Sequence, residues 1–336
     1  MKIAHISDLH LDKIYKRSNY KKTLQLIEFI ADGGFDHIII TGDITENAEA
    51  SAFELARNML KKLGLLNAAK TSVVIGNHDI FGGVHLAEDV VNFPAKCRNT
   101  NYNKKVEEFG AFFSETFAGT IRTSLHNPFP FVKEFDEFIL IGLNSIAEYS
   151  VFKNPIASNG EISDEQLEDL ETVLKIHKFP NKHRIVITHH HFCKGSVEES
   201  SPNALWRKIE RQTMKLRGKK KLIKRFKKLG VTHVLHGHLH ETNQYTRKGI
   251  TFLNAGGSIV NGTQNEFRFN NINFNINFNI NFSGSEIKHG SNVLTSPSVF
   301  PQSVLDKLTG EGKQKIIKIH QRNAPLITAA AEVYTS

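Results

Sequence analysis

At residues 37–43 the sequence reads His37-Ile38-Ile39-Ile40-Thr41-Gly42-Asp43, a short apolar run that ends in a carboxylate. A continuous aliphatic run of this length predicts a buried β-strand, because other elements must cover both of its faces. The stretch therefore predicts an acidic side chain at the carboxyl end of a buried strand.

Four other stretches repeat this layout, in which an apolar run is followed by residues that bind metals or move protons. They are Lys2–Ser7 before Asp8-Leu9-His10, Ser72–Ile75 before Gly76-Asn77-His78-Asp79, Arg184–Thr188 before His189-His190-His191, and His233–Leu235 before His236-Gly237-His238-Leu239-His240. Helical patterns between the first three strands predict a β-α-β-α-β order and a parallel sheet. In open α/β sheets ligands bind beyond the carboxyl ends of the strands, so the five ends point at one shared crevice.

Together, the five stretches resemble the motifs of the calcineurin-like metallophosphoesterases over roughly residues 1–265. The motifs stand in family order as Asp8-Leu9-His10, Gly42-Asp43, Gly76-Asn77-His78-Asp79, His189 and Gly237-His238-Leu239-His240. The resemblance implies an α/β fold: a four-layer α-β-β-α sandwich of two mixed sheets flanked by helices, with a dimetal site at the carboxyl ends of the strands. It predicts one domain over residues 1–282 and a C-terminal extension over residues 283–336.

The resemblance also implies which side chains bind the metals. The first metal takes Asp8, His10 and His240, the second takes Asn77, His189 and His238, and Asp43 bridges the two. Oxygen ligands mixed with imidazole nitrogens suit Mn, Fe, Zn or Ni better than Ca or Mg. The implied cofactors are therefore two divalent or trivalent transition metal ions.

In the family pattern His78 is not a ligand but faces the substrate, and Asp79 is expected to fix its tautomer. The implied reaction is in-line attack on a phosphate ester by a hydroxide that bridges the ions, while His78 stabilises phosphoryl charge and protonates the leaving group. The motif style is closest to small cyclic-nucleotide phosphodiesterases, which favours a small phosphodiester as substrate. Alternatives are a phosphomonoesterase, a nuclease, a lipid-pyrophosphate hydrolase and a non-catalytic scaffold of the same fold.

Several other histidines lie close to the motifs in the sequence. The family ligand is the first residue after its strand, which favours His189 over His190 and His191. His190 is then expected to support a ligand, and His191 to reach solvent. His236 lies within a strand, so we interpret it as structural, and we expect His5 to be a core histidine.

The composition bounds the remaining possibilities. With 336 residues, 40% of them hydrophobic, the chain can form one large α/β domain or two smaller ones. The sequence contains no apolar run long enough for a transmembrane helix, and its start lacks the pattern of a signal peptide. Only two cysteines are present, which suits a reducing cytosol and predicts a cytoplasmic protein. The net charge of +9 suits an anionic substrate or surface.

Three further segments carry their own predictions. Residues 80–137 contain nine phenylalanines and predict an inserted helical piece with its own small core, or a lid over the substrate. Residues 207–228 contain twelve Lys or Arg, which predicts either an amphipathic helix with a solvated basic face or a patch for nucleic acid or an anionic surface. The strict alternation of Asn with Ile or Phe over Ile272–Phe282 predicts an edge or hairpin strand of a second sheet. The following tail predicts loose structure with a helix near Val304–Leu308, and the oligomeric state stays open.

Overall fold

The computed structural model describes residues 1–85, 87–193, 214–240, 242–259, 265–274 and 280–289. Its first sheet has five strands in the order β11-β10-β1-β2-β3. These strands are β1 (Lys2–Ile6), β2 (His37–Thr41), β3 (Thr71–Val74), β10 (Asn265–Phe274) and β11 (Ile280–His289). Strands β1, β2 and β3 run parallel, whereas β10 and β11 are antiparallel to their neighbours, so the sheet is mixed as predicted.

The second sheet has six strands in the order β4-β5-β6-β7-β9-β8. They are β4 (Phe131–Glu134), β5 (Phe138–Gly142), β6 (His183–Ile187), β7 (Val231–His236), β8 (Asn243–Arg247) and β9 (Ile250–Asn254). The four central strands are parallel, and the edge strands β4 and β8 pair antiparallel. The predicted strands therefore form, with boundaries shifted by one or two residues.

Six helices connect and cover these strands in the described part of the chain. They are α1 (Arg17–Asp32), α2 (Ala50–Lys62), α3 (Ala87–Asn99), α4 (Tyr102–Phe112), α5 (Asp164–His177) and α6 (Lys219–Lys228), with a short 3-10 helix at Ser114–Phe117. Ser163 caps α5, since its hydroxyl accepts a hydrogen bond from the Gln166 amide at 3.1 Å. The Gln166 side chain instead bonds the backbone of Asn144, so it ties α5 to the end of β5.

The layer order follows from the alternation of side chains along the second sheet. On β5, Leu140 joins the core that also contains the first sheet, α1 and α2. Its neighbours Ile139 and Ile141 join a second core with α5 and α6 on the other side. Alternate residues of a strand face opposite sides of a sheet, so each sheet lies between its partner sheet and a helical layer. The predicted four-layer α-β-β-α sandwich is confirmed.

The Phe-rich insertion does not have a core of its own. Phe109, Phe113 and Phe117 are buried in the same core as the strands of the first sheet. The expectation of a separate small core is therefore wrong, because the insertion fills the open side of the sandwich next to β3 and β4. The alternative, that the insertion is a lid over the substrate, stays a prediction.

The Asn-rich tract extends the first sheet and not a second one. Strand β10 pairs antiparallel with β1, with Lys2 opposite Asn273 and Ile3 opposite Ile272. Ile272 and Phe274 are buried, so the predicted apolar face of a hairpin strand is present. The assignment to a second sheet was wrong because nothing in a repeated local pattern specifies which edge it will join. Strand β11 continues beyond residue 282, and the division into domains at 282/283 stays a prediction.

Two smaller expectations can be compared with the structure. Neither Cys97 nor Cys193 forms a disulfide bond. Among the described residues, no helix combines the length and the apolarity needed to cross a bilayer. The first part of the basic stretch, residues 207–213, and the helix expected near Val304–Leu308 lie outside the described residues.

Candidate metal centre

The ends of five parallel strands meet at one edge of the sandwich, as the sequence predicts. The loop after β1 runs alongside the loop after β2. The Asp8 amide donates to the Gly42 carbonyl and the His10 amide to the Asp43 carbonyl, both at 3.0 Å. The loop after β7 joins them through the His238 amide, which donates to the Asp8 carboxylate at 3.1 Å. Side chains from both sheets therefore reach one site.

The backbone of this edge adopts a conformation that L-residues avoid. Asp8, His10, Asp43 and His238 all lie in the left-handed region, with φ angles of 55°, 47°, 49° and 71°. Such backbone costs on the order of 1–3 kcal/mol per residue and persists where the surrounding structure enforces it, often at functional sites. All four residues are predicted metal ligands, so at this edge the strained backbone sets the direction of side chains that are expected to bind metal.

Two glycines allow the loops to approach so closely. A Cβ atom on Gly237 would lie 1.8 Å from the Ser7 hydroxyl and 2.7 Å from the Asp8 carboxylate. A Cβ on Gly76 would lie 2.1 Å from a carboxylate oxygen of Asp43. Since real Cβ contacts are never this short, only glycine fits at these positions.

Asp8, His10 and His240 form one group of potential ligands, which we call the outer group. The Nε2 atoms of His10 and His240 lie 3.4 Å apart, and His240 Nε2 lies 3.6 Å from Asp8 Oδ1. Asp8 and His10 are buried, whereas the His240 side chain is 60% exposed. This group matches the first predicted metal site and opens to solvent on the side of His240.

Asp43, His189 and His238 form a second group, the inner group, and all three are buried. His189 Nε2 lies 3.4 Å from Asp43 Oδ2, 3.2 Å from the Asn77 side-chain oxygen and 3.0 Å from His238 Nδ1. His189 Nδ1 donates to the Thr41 carbonyl at 2.7 Å, which leaves Nε2 as the nitrogen with a free lone pair. The structure thus brings together all four residues placed at or beside the second predicted metal.

Buried polar atoms that lack a hydrogen bond indicate whether these residues suit a metal ion. Among the described residues, Asp8 Oδ1 and His238 Nε2 are buried and form no hydrogen bond. Buried polar atoms normally have a partner, because an unpaired one costs about 1–3 kcal/mol. A cation at the outer group would supply that partner for the Asp8 oxygen, and the mixture of oxygen and imidazole donors suits transition metal ions.

The electrostatics of the cluster favour positive charge beside Asp43. Burial alone would raise the pKa of the Asp43 carboxyl, but His189 and His78 hold it well below its usual range. Burial alone would lower the pKa of His189, yet the Asp43 carboxylate raises it to about 9. A proton on His189 or a metal ion next to Asp43 would each supply the positive charge that stabilises the Asp43 carboxylate.

The structure adds Glu46, which the sequence interpretation missed. Its side chain is buried, and Oε2 lies 2.7 Å from both His10 Nδ1 and Lys16 Nζ. Burial would raise the pKa of this carboxyl, but His10 and Lys16 lower it to about 2. The contact holds the His10 ring with Nε2 toward the outer group, as carboxylates do for metal-binding histidines. An acidic residue three positions after Asp43 was the available signal, but it looks like any loop residue.

His78 lies beside the outer group, although not in the predicted arrangement with Asp79. The Asp79 carboxylate accepts hydrogen bonds from Thr45 and from the Gly76 amide, at 2.8 to 3.0 Å. His78 Nδ1 instead lies 3.0 Å from the backbone carbonyl of Glu46. The expectation that Asp79 fixes the His78 tautomer is wrong, because Asp79 points back into the loops that carry Asp43 and Asn77. Burial and the Asp43 carboxylate raise the pKa of Asp79 to about 6.

The ring nitrogens of the neighbouring histidines His190 and His236 contact other protein groups. His190 contacts Ser145 and the Ser158 carbonyl, at 2.9 and 3.2 Å. His236 contacts the Tyr245 hydroxyl and the Gly237 carbonyl, at 3.0 and 3.2 Å. These contacts support the structural interpretation of His236.

His191 and His5 differ in how they match the sequence. His191 is only 5% exposed and contacts the Met214 carbonyl and Cys193, so the expectation that it reaches solvent is wrong. His5 is fully buried between Thr41 and Asn270, as expected for a core histidine.

Comparison with known proteins agrees with this geometry. Residues 1–242 match the sequence profile of the calcineurin-like phosphoesterases. A stretch of 83 residues is 35% identical to a probable cyclic nucleotide phosphodiesterase of Coxiella burnetii. That match spans 24% of this chain and 32% of the relative, about a third of its length.

The fold comparison extends over most of the chain. A dimetal phosphatase from Danio rerio superposes with a TM-score of 0.52 at 11% sequence identity, covering 86% of this chain and 98% of that one. At this identity the likeness concerns the fold alone. The profile covers well over half of the chain, so the chain belongs to the calcineurin-like phosphoesterase family.

Proposed function

We propose that the chain is a dinuclear-metal-dependent phosphodiesterase. The observation that carries the proposal is the adjacency of the outer and inner groups, each with imidazole and carboxylate donors, at one edge of the sandwich. Family membership supports hydrolysis of a phosphoric ester. The preference for a diester rests on the motif style and on the partial match to the Coxiella burnetii relative.

The proposed metal ligands follow the two groups. Asp8, His10 and His240 would hold one ion, Asn77, His189 and His238 would hold the other, and Asp43 would lie between them. Two ions, when bound, supply charge neutralisation for the phosphoryl group and lower the pKa of water. The mixture of oxygen and imidazole donors favours Mn, Fe, Zn or Ni.

His78 is the proton donor in this proposal. If its Nδ1–H donates to the Glu46 carbonyl at 3.0 Å, its Nε2 becomes the nitrogen that exchanges a proton with substrate. The side chain is 24% exposed, so an ester bound at the outer group can reach it. A protonated His78 would stabilise negative charge on the phosphoryl oxygens and give its Nε2 proton to the departing alcohol. Asp79 keeps only a positioning role in this proposal, because its carboxylate holds the Thr45 and Gly76 amides.

A nuclease is the less supported alternative. In α6, Lys221 and Arg225 pair with Asp164 at 2.8 and 3.2 Å, and Arg225 also pairs with Glu171 at 2.6 Å. Part of the basic stretch therefore pairs with acidic side chains of α5. Binding of nucleic acid or an anionic surface through residues 207–228 stays a prediction, as do a cytoplasmic location and the domain division.

The direct test compares two chromogenic substrates after loading with manganese. We expect faster hydrolysis of bis(p-nitrophenyl) phosphate than of p-nitrophenyl phosphate, with Asp43→Asn as the blank. Asp32→Asn changes an exposed acid at the end of α1 and serves as the matched control. A faster monoester rate would replace the proposal with a phosphomonoesterase, and no rate on either substrate would favour a non-catalytic scaffold.

A further inference from the structure

A cavity of about 390 Å³ opens beside the metal centre, between the loop after β1 and the start of α3. Its lining combines aromatic, amide and charged side chains: Tyr15, Asn47, Glu49, Gly83, His85, Asp89, Asn92, Phe93 and Lys96. The volume is in the range of small-molecule sites, which is roughly 300–1,000 Å³. None of these residues belongs to the outer or inner group.

The wall of the cavity touches the proposed proton donor. A Cβ atom on Gly83 would lie 2.9 Å from a carbon of the His78 ring and 2.8 Å from Glu46 Oε1. His85, also in the wall, lies 3.5 Å from the same Glu46 oxygen. The cavity therefore begins beside the ring of the proposed proton donor, at the edge that carries Nδ1 and Cε1.

Two stacked rings form one side of the cavity. The rings of Tyr15 and His85 lie 4.2 Å apart between centroids and are inclined by only 12°. The His85 side chain is 13% exposed, whereas Tyr15 is 47% exposed. The His85 ring is thus the covered member of the pair, and Tyr15 presents an open aromatic surface.

The position of Tyr15 is set by its loop. Asp12 Oδ1 accepts hydrogen bonds from the backbone amides of Ile14 and Tyr15, both at 2.6 Å. The other oxygen of Asp12 accepts from the Asn47 side chain at 2.9 Å. Asn47 also contacts His85 at 3.2 Å, so both rings are tied to the same residue. This shared support makes the pair a built surface and not a chance contact.

The rest of the lining argues against a long aliphatic ligand. Apart from Tyr15, only Phe93 contributes a large apolar side chain, and Phe93 is itself packed into the core. Lys96, Asn92 and Asp89 instead contribute polar side chains to the lining. An aromatic surface with polar groups around it suits a planar ring that carries heteroatoms.

We propose that this cavity binds the alcohol part of the ester and selects a planar aromatic or heteroaromatic ring, which stacks on Tyr15. The inference rests on the proposed function in that it assigns the cavity to the leaving group of the same reaction. Tyr15 is then a specificity-determining residue, and His85 holds it in place.

Two phosphonates test the proposal without hydrolysis. Benzylphosphonate and cyclohexylmethylphosphonate have the same number of carbons and a CH₂ group where the ester has oxygen, but only the first has a flat ring. Binding of each to the manganese-loaded full chain is measured by isothermal titration calorimetry. We expect benzylphosphonate to bind about threefold to tenfold more tightly, as ring stacking supplies.

Three variants locate the effect. Tyr15→Leu should abolish the preference for the flat ring, and Tyr15→Phe should keep it. Tyr20→Leu is the matched control, since Tyr20 is 39% exposed and is not part of the cavity lining, and it should keep the preference. Equal binding of the two phosphonates, tighter binding of the cyclohexyl compound, or a preference that survives in Tyr15→Leu would overturn the proposal. The two proposals can fail separately. If the chain hydrolyses bis(p-nitrophenyl) phosphate but shows one of these binding results, only the ring-binding proposal is wrong. If benzylphosphonate binds more tightly but no hydrolysis is seen, only the proposed function is wrong.

Discussion

Strand β2 has a buried polar cluster at each of its ends, and the two clusters differ in how their atoms are paired. At the start of the strand, both ring nitrogens of His37 have partners, the Ala69 carbonyl at 2.8 Å and the Ser72 hydroxyl at 2.9 Å. The Lys133 amine, from β4, lies 2.8 to 3.1 Å from four oxygens, those of Ala68, Thr71, Ser72 and Thr116. This cluster joins the edge strands of the two sheets and is complete in itself.

The cluster at the other end of β2, around Asp43, is incomplete. It contains two buried atoms without a hydrogen bond, Asp8 Oδ1 and His238 Nε2, among the residues that the structure describes. Its backbone is strained at four positions, whereas His37 and Lys133 lie in regular strands. Burial of polar groups therefore does not by itself mark a functional site. The cluster around Asp43 differs because it combines buried atoms that lack a hydrogen bond with strained backbone, and the fold retains both at a cost.

The largest expected effect comes from removing the carboxylate that lies between the two groups of ligands. Asp43→Asn should reduce phosphodiester hydrolysis by about a thousandfold or more, since metal-ion catalysis contributes several kcal/mol and each 1.36 kcal/mol is a factor of ten. Metal content, measured by mass spectrometry of the purified protein, should fall together with the rate. Full metal content with full activity would contradict a bridging position.

His78 should affect the reaction without affecting the metals. His78→Ala should lower kcat by about 10²–10⁴-fold, the usual contribution of a general acid. The bound metal, measured on the same samples, should stay at the wild-type level. Loss of metal would show instead that His78 is a ligand, in line with its place beside His10 and Glu46.

A substitution at Glu46 should weaken metal binding at the outer group and leave the inner group unchanged. Glu46→Gln removes the charge that holds His10 and should weaken one metal site by about 10–100-fold, the typical effect of a residue that orients a ligand. The other site should keep its affinity, so a metal titration should resolve two unequal steps. Glu54→Gln, an exposed acid on α2, is the control and should match wild type. Equal weakening of both sites would mean that Glu46 acts on the fold as a whole.

Lys133 should make the free energy of unfolding depend on pH. Burial lowers its pKa in the native chain from 10.5 to about 7, so between these values the unfolded chain binds a proton that the native chain does not. Stability then rises with pH in that window, by about 1 kcal/mol between pH 7 and pH 8. Below pH 7 both states are protonated and the contribution stays constant. Urea unfolding at several pH values should show this rise in wild type and a smaller one in Lys133→Met.

The site could be predicted from the sequence because each motif is local. A carboxylate or imidazole directly after a buried strand is placed at the carboxyl end of the sheet by the strand itself, whatever the distant contacts are. The five strand ends and the parallel β-α-β-α-β order follow from short stretches in this way, whereas the sandwich of two mixed sheets was implied by the family resemblance. The alternation at Ile272 and Phe274 likewise predicted a hairpin strand with one apolar face.

Tertiary structure decided what depends on contacts between distant residues. Only the packed loops show that Glu46 and not Asp79 lies beside the metal-binding and proton-donating histidines. Likewise, only sheet assembly places the Asn-rich hairpin next to β1 and the Phe-rich insertion in the main core. The sequence thus determined which groups lie at the strand ends, because side-chain direction along a strand is a local property. The fold determined their partners, because a hydrogen bond between residues tens or hundreds of positions apart exists only once the two sheets are packed together.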